Sequence, residues 1–174
     1  MLQYVKAGLN SFDCADIYTG VEERLGNFKQ LAQESGHEIR IHTKFVPDLD
    51  SLPTLCDMQI IDVIKRSCSR LQVNSLNLVQ FHWWDYHSGD YLAALKVLQK
   101  LKQEGVIQGI GLTNFNTHHL RRIVESCEVE IESIQVQYSL LDKRPEKSLI
   151  AYAKKHNIKI FCYGTLAGGF LNKK

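Results

Sequence analysis

Groups able to exchange protons stand together near the start of this 174-residue chain. Asp13, Asp16 and Tyr18 follow a short extended run over residues 11–15 and precede an apolar stripe with helical spacing. Carboxylates and a phenol at the end of a strand are typical of a site that transfers protons. Aspartate is also common where a strand gives way to a helix, so a purely structural role as cap or turn is the alternative.

Two further groups of suitable chemistry come at the ends of later strands. Lys44 lies near the end of an extended run over residues 38–46, and His82 ends another over residues 76–82. Taken singly, Lys44 is more often a solvated strand terminus, and His82 a core histidine or part of an aromatic wall. Their occurrence in order at successive strand ends favours one shared site.

Strands and helices alternate along the whole chain, which is typical of repeated βα units around a parallel sheet. Extended runs are predicted over residues 11–15, 38–46, 76–82, 106–113, 131–138 and 158–163, and helices over residues 21–35, 60–71, 92–105, 117–127 and 146–156. The first strand is not followed by G-x-G-x-x-G, which a doubly wound dinucleotide fold would carry. Polar residues at the end of strand after strand favour a (β/α)8 barrel instead.

The sequence resembles the aldo-keto reductase superfamily over nearly its whole length. The segment F-D-C-A-D-I-Y over residues 12–18, followed by Glu22 and Leu25-Gly26, is similar to that family's signature FDTA-x-x-Y…E…LG. Thr43-Lys44, Phe81-His82, G-I-G-L-T-N over residues 109–114, Gln135 and Y-G-T-L-A-G-G over residues 163–169 continue the resemblance in order. The resemblance implies a single α/β domain over residues 1–174: a partial TIM barrel with strands 2 to 7 of the eight, truncated at both ends.

The resemblance also implies a catalytic tetrad for the NADPH-dependent reduction of aldehydes or ketones. Its members would be Asp13, Tyr18, Lys44 and His82. A phenol protonates a carbonyl oxygen at neutral pH only if a nearby cation stabilises the phenolate, which is the role implied for Lys44. Asp13 would pair with Lys44, and His82 would orient and polarise the carbonyl oxygen by hydrogen bonding.

The same resemblance implies a set of contacts to NADPH. They are Thr113, Asn114, Gln135, Tyr163, Gly164, Leu166 and Gly168. Asn114 and Gln135 would hold the nicotinamide carboxamide, and Tyr163 would stack on the nicotinamide ring. The small residues of the following loop would let backbone amides approach the pyrophosphate, with an ordinary flexible turn as the alternative. The family's contacts to the adenosine 2′-phosphate correspond to positions after Lys174.

A metal-dependent barrel hydrolase is one rival class. His82, Asp85 and His87 are close in sequence, and barrel hydrolases bind zinc at strand ends. Their spacing is not helical, and the adjacent pair His118-His119 at a helix start points in two directions. We therefore predict no metal site.

The aromatic residues Trp83, Trp84 and Tyr86, which follow His82, are predicted instead to wall an apolar substrate pocket. A non-catalytic module is the other rival. Some relatives, such as potassium-channel β subunits, serve mainly as cofactor-bearing interaction partners. A barrel that lacks two strands has unpaired edges, so we expect impaired activity and pairing with a further copy or an intact paralogue.

Composition excludes several further classes. The chain is 44% hydrophobic and 23% charged, with a formal net charge of +2, which is ordinary for a globular domain. Lysine and arginine are scattered, so no nucleic-acid partner is predicted. The apolar runs are too short to cross a membrane, and the first residues lack a secretory core, which predicts a cytoplasmic protein. Five cysteines without a C-x-x-C pattern favour neither disulfides nor zinc.

Overall fold

Six parallel strands form one curled sheet in the computed structural model, which describes residues 1–171. The strands are β1 (Ser11–Asp13), β2 (Arg40–Phe45), β3 (Leu78–His82), β4 (Ile110–Thr113), β5 (Ser133–Gln137) and β6 (Lys159–Tyr163). Each strand lies beside its predecessor in sequence. A doubly wound sheet reverses its order at a switch point, whereas a barrel adds every strand on the same side. The predicted partial barrel is therefore confirmed.

The curl of the sheet brings distant strands face to face. His42 on β2 and Phe161 on β6 stack with their ring centroids 5.3 Å apart, although three strands separate them in the sheet order. Within the described residues, β1 and β6 each pair along one side only. The pairing of these two edges with another chain stays a prediction.

One helix precedes the first strand, and the others connect successive strands along the outer face of the sheet. They are α1 (Leu2–Lys6), α2 (Val21–Glu34), α3 (Asp57–Leu71), α4 (Tyr91–Gln103), α5 (Thr117–Ser126) and α6 (Leu149–Lys155), with short 3-10 turns at Leu49–Thr54, Arg144–Lys147 and Ala167–Gly169. The helix predicted over residues 146–156 is shorter than expected. Its first part is the 3-10 turn at Pro145, and the non-helical backbone of Ser148 separates that turn from α6.

Side-chain caps and glycines set several helix ends. The Asp90 carboxylate accepts hydrogen bonds from the first free amides of α4, and Asn116 does the same for α5. Gly36 and Gly105 follow α2 and α4 with φ of 77° and 79°. Only glycine adopts this left-handed conformation without steric cost, so each ends its helix cleanly.

The two faces of the sheet differ in polarity. On β3, Val79 and Phe81 belong to the buried apolar cluster between sheet and helices, and the Phe81 ring packs against that of Phe115. The alternate residues Gln80 and His82 point into the lumen of the half-barrel, because successive strand side chains face opposite ways. Parallel sheets are usually apolar on both faces. A polar lumen therefore marks the inner face as the place for chemistry.

None of the described helices is both long and apolar enough to span a lipid bilayer.

Helices α2 and α3 approach each other closely at Gly26. A Cβ atom at this position would lie 2.7 Å from the Arg70 carbonyl oxygen and 2.9 Å from the carbonyl of Leu71. Both neighbours are backbone atoms at the end of α3, which cannot rotate away as a side chain can. The Leu25-Gly26 pair of the sequence signature therefore has a packing role, and it fixes α2 behind the loop that carries Tyr18.

We predict that Gly26→Ala destabilises the protein by about 1–3 kcal/mol, because the added methyl overpacks the α2–α3 contact. In a free helix the same change would stabilise by about 0.5–1 kcal/mol. Chemical denaturation measures the difference, with Gln33→Ala on the exposed side of α2 as control. A more stable Gly26→Ala variant would contradict the close approach.

Candidate active site

A cavity of about 330 Å³ opens at the carboxyl ends of the strands. All four predicted catalytic residues line it, as do Thr113, Asn114, Gln135 and Tyr163. Gly164, Leu166 and Gly168 lie beyond β6, in the turn that follows Tyr163, and do not line it. Residues as far apart in sequence as Asp13 and Tyr163 thus share one cavity, because the strands are parallel and consecutive.

A second cavity, of about 410 Å³, lies toward the amino ends of the strands, near Arg40 and Lys159. Barrel enzymes carry their chemistry at the carboxyl ends, whereas the amino ends contribute stability. None of the predicted site residues lines this second cavity. We therefore take the cavity at the carboxyl ends as the candidate site.

The centre of the site is an ion pair. Lys44 on β2 is 5% exposed, and its Nζ donates to Asp13 Oδ2 at 2.5 Å and to the Cys14 carbonyl oxygen at 2.8 Å. β1 and β2 are adjacent parallel strands, which brings these groups together. A buried ammonium is costly unless a negative charge and hydrogen-bond acceptors compensate it. Asp13 and Cys14 supply both.

The other oxygen of Asp13 binds two side-chain amides. Gln80 Nε2 donates to Oδ1 at 2.7 Å, and Gln135 Nε2 donates to the same atom at 3.0 Å. Our sequence reasoning missed Gln80. The signal was available, because Gln80 stands two positions before His82 on β3 and must share its face of the sheet.

Tyr18 lies in the turn between β1 and α2. Its side chain is about half exposed, and Lys44 Nζ is 5.5 Å from the centroid of its ring. The turn is fixed at Asp16, whose carboxylate accepts from the Val46 amide at 3.2 Å and whose carbonyl accepts from Arg70 Nη1 at 3.0 Å. Tyr18 is thus an accessible phenol beside a cation, on an anchored turn.

A buried network behind the site joins β2, α2 and α3. Thr43 Oγ1 donates to Glu22 Oε1 at 2.6 Å, and Arg70 Nη1 reaches Glu22 Oε2 at 3.3 Å. Glu22 is 1% exposed, so these two partners replace water around its carboxylate. Thr43 immediately precedes Lys44, and this network therefore ties the strand that carries the lysine to the helix behind Tyr18.

His82 lies opposite the ion pair, at the end of β3. Its Nδ1 is 3.3 Å from the Thr113 carbonyl oxygen, which can only accept, so Nδ1 carries the hydrogen. Burial lowers the pKa of His82, although the bond to Thr113 opposes the shift. Within residues 1–171, Nε2 has no hydrogen-bond partner. In the neutral ring it is therefore an acceptor, which differs from the donor expected from the sequence.

Asn114 and Tyr163 are joined across the rim of the cavity. The Tyr163 hydroxyl donates to Asn114 Oδ1 at 2.7 Å, and the Asn114 backbone amide donates to the Gln135 carbonyl at 2.9 Å. Asn114 has φ of 63°, a left-handed conformation that asparagine tolerates better than most residues. Asn114 Nδ2 is the donor left for another partner.

The side-chain amide atoms of Gln135 and Asn114 that are left without a partner within the described residues fit a nicotinamide. A carboxylate only accepts hydrogen bonds, so Gln135 must turn its NH2 group to Asp13, which leaves Oε1 as an acceptor. Asn114 uses its oxygen for Tyr163 and keeps NH2 as a donor. One donor and one acceptor at the same rim are complementary to a primary carboxamide. These two free atoms therefore fit the nicotinamide carboxamide, the cofactor group that the resemblance implies.

Only one of the three aromatic residues predicted to wall the pocket does so. Trp84 lines the cavity, with its indole edge-on to His82 at 4.4 Å and its Nε1 bonded to the Pro47 carbonyl at 2.8 Å. Trp83 is buried against Phe81, and Tyr86 packs on His119 and Tyr91. That part of the prediction was wrong, because the chain turns after β3 and points the neighbouring rings in different directions.

Over residues 1–171, no three His, Cys, Asp or Glu side chains converge as a metal site would require.

Comparison with known proteins identifies similar chains. A sequence model described as "Aldo/keto reductase family" matches residues 1–174. Methylglyoxal reductase DkgA of Yersinia pestis is 29% identical over 166 residues, which cover 95% of this chain and 56% of that protein. The holo form of an aldo-keto reductase from Bacillus halodurans is 26% identical, with a TM-score of 0.80 over 99% of this chain and 56% of its own. A mutant of Gox0644 in complex with NADPH is 25% identical, with a TM-score of 0.82 over 99% of this chain and 60% of its own.

The chain therefore spans little more than half the length of these relatives. The part of these relatives that aligns with this chain corresponds to the six-stranded sheet and the cavity at its carboxyl end.

Asp16 makes the stability of this fold dependent on pH. Burial, and secondarily the nearby Glu22 carboxylate, raises the pKa of Asp16 to about 7, although its bond from the Val46 amide opposes the shift. An aspartate in an unfolded chain has a pKa of about 3.9. Between these values the folded protein keeps a proton that the unfolded chain releases, so the free energy of unfolding falls as pH rises from about 4 to 7.

We predict that Asp16→Asn removes this contribution, because the asparagine oxygen still accepts from Val46 and carries no charge. The variant should exceed wild type by about 1–3 kcal/mol at pH 8 and match it near pH 4. Urea unfolding across this pH range measures both chains, with Asp62→Asn at an exposed position of α3 as control. An equal difference at both pH values would disprove the titration.

Proposed function

Since this chain belongs to the aldo/keto reductase family, we propose that it reduces an aldehyde or a ketone to an alcohol with NADPH. The observation that carries the proposal is the buried Lys44 ammonium, paired with Asp13 and facing the accessible ring of Tyr18. These groups share one cavity with His82. A buried, paired ammonium beside an accessible phenol in a cavity is typical of a site that transfers protons.

Tyr18 is the proton donor in this proposal. When bound, NADPH supplies a hydride to the carbonyl carbon. The carbonyl oxygen then takes the proton of the Tyr18 hydroxyl, and the oxygen–hydrogen bond of the phenol breaks. Lys44 stabilises the phenolate that is left, and Asp13 keeps the ammonium charged and directed. A proton from solvent can return to the phenolate because Tyr18 is half exposed.

His82 holds the alcohol that forms from the substrate in this proposal. With its hydrogen on Nδ1, the neutral ring offers a lone pair at Nε2, which accepts from the product hydroxyl. Donation from Nε2 to a carbonyl oxygen requires the imidazolium form, which burial disfavours. Proton donation therefore falls to Tyr18, the other candidate on this side of the cavity.

Asn114 and Gln135 hold the nicotinamide carboxamide in this proposal, with Nδ2 of the first as donor and Oε1 of the second as acceptor. Tyr163 offers its exposed ring for stacking. Thr113 adds a hydroxyl that is buried and lacks a partner within residues 1–171. The turn with Gly164, Leu166 and Gly168 is proposed to approach the pyrophosphate. The NADPH complex of a relative supports the choice of cofactor.

Small carbonyl compounds are the proposed substrates. Relatives are named methylglyoxal reductase and glyoxal reductase, so methylglyoxal and glyoxal are the first compounds to try. Trp84 and Ile17 give the mouth of the cavity an apolar side, which suits an aryl aldehyde equally well.

A cofactor-binding interaction module is the second candidate, favoured by the free sides of β1 and β6 within the described residues. A module of this kind binds NADPH without turning it over and pairs with a further chain through the two edges. Size measurement alongside the assays below separates the two candidates.

We predict that Tyr18→Phe lowers kcat for 4-nitrobenzaldehyde by at least about 100-fold, because the proton donor is lost. NADPH binding should change by less than about twofold, since the ring remains. NADPH consumption and fluorescence measure the two quantities. Tyr138→Phe, which removes a phenol outside the cavity, is the control. Wild-type turnover by Tyr18→Phe would refute the assignment.

We also predict that Gln135→Leu weakens NADPH binding about tenfold, because a buried acceptor for the carboxamide is lost. Gln103→Leu at the exposed end of α4 controls for the added apolar surface. Fluorescence titration with NADPH gives both dissociation constants. Equal affinities for these variants would exclude Gln135 from the cofactor site.

A further inference from the structure

Gln80 occupies a place in the lumen that packing does not explain. The residue is fully buried, and its Nε2 donates to Asp13 Oδ1 at 2.7 Å. Its own oxygen, Oε1, is buried and has no hydrogen-bond partner within residues 1–171. A buried polar atom without a partner costs about 1–3 kcal/mol. A methionine has the same length and no unpartnered polar atom. The role of the Gln80 amide is therefore its directed hydrogen bond to Asp13, not the space that it fills.

The neighbours of Gln80 give its side chain room to reach Asp13. Gln80 pairs in register with Lys44 on one side and with Gly111 on the other. A Cβ atom on Gly111 would lie 3.3 Å from Cγ of Gln80 and 2.4 Å from Oγ of Ser133. The absence of a side chain at Gly111 therefore leaves space in which the Gln80 arm extends across the lumen.

Asp13 is the point where two halves of the site meet. One oxygen accepts from Lys44, which serves Tyr18. The other accepts from Gln135, whose remaining oxygen is the acceptor proposed for the nicotinamide carboxamide. The observed rotamer of Asp13 makes both contacts at once. The Asp13 side chain is 44% exposed, so burial alone does not fix that rotamer.

We propose that Gln80 is a positioning residue, which holds Asp13 in the single orientation that serves Lys44 and Gln135 together. It donates to the same oxygen as Gln135, from β3 rather than from β5, and so opposes rotation of the carboxylate. Gln80 is fully buried and does not line the cavity. Its effect on the reaction passes through Asp13, and this inference rests on the proposed function for its catalytic consequence only.

Two substitutions test the donor role. Gln80→Met keeps the length and removes the donor, whereas Gln80→Glu restores a donor only while the new carboxyl is protonated. Ser133→Ala is the matched control, because Ser133 is also a buried lumen residue with an unpartnered polar atom and does not contact Asp13. Thermal unfolding establishes that all three variants fold.

We expect Gln80→Met to lower kcat and weaken NADPH binding, each by about tenfold, with KM nearly unchanged, because small misplacement of a reacting group is costly. Its melting temperature should equal or exceed that of wild type. Gln80→Glu should regain activity as pH falls, when the carboxyl can donate to Asp13, whereas Gln80→Met should show no such recovery. Ser133→Ala should match wild type.

The side-chain amide signals of Gln135, observed by NMR in the 174-residue chain without cofactor, give a readout that does not depend on activity. In Gln80→Met these signals should shift and exchange faster with water, because Asp13 no longer holds the Gln135 amide. Unchanged Gln135 signals in Gln80→Met would overturn the inference, as would kcat equal to that of Ser133→Ala. A wild-type chain that neither binds nor oxidises NADPH would refute the proposed function, and the NMR result would still decide the role of Gln80.

Discussion

The arrangement of the site depends on a single buried charge. The ammonium of Lys44 has left water, and its compensation by the Asp13 carboxylate and the Cys14 carbonyl ties β1 to β2 at the mouth of the barrel. A buried cation without its partner costs several kcal/mol, so the pair constrains every group around it. The Tyr18 turn, the two amides on Asp13 and the Thr43 network all take positions relative to this charge.

The barrel satisfies that constraint through its strand order. Because β1 to β6 lie side by side in sequence order, the last residue of each strand adds to one rim, and the inner faces meet across a narrow lumen. An open doubly wound sheet would spread the same residues along a line. The polar side chains of the lumen can therefore reach one another, as the bonds from Gln80 and Gln135 to Asp13 show.

Much of this could be predicted from the sequence. Alternation of strand and helix, with polar residues at strand ends, predicts the barrel, and the resemblance supplies Asp13, Lys44 and His82, which share the cavity. Side-chain direction beyond the strand ends could not be predicted, because it depends on the path of each loop. The adjacent residues Trp83 and Trp84 show this, since the Trp84 side chain lines the cavity and that of Trp83 is buried elsewhere. The spacing to His82 places Gln80 on the lumen face, but its role depends on a bond to Asp13 on another strand, which spacing alone does not predict.

The bond between Tyr163 and Asn114 means that the rim is preorganised. It orders the side-chain amide of Asn114 before any ligand arrives. It occupies Oδ1, which as an acceptor could not bind a carboxamide carbonyl, and it leaves Nδ2 as the donor. A nicotinamide would thus meet a donor whose rotational freedom is already lost, and it would have no internal hydrogen bond to break on entry. Recognition at this rim would then cost little conformational entropy, which lets a shallow, open mouth discriminate between ligands by geometry.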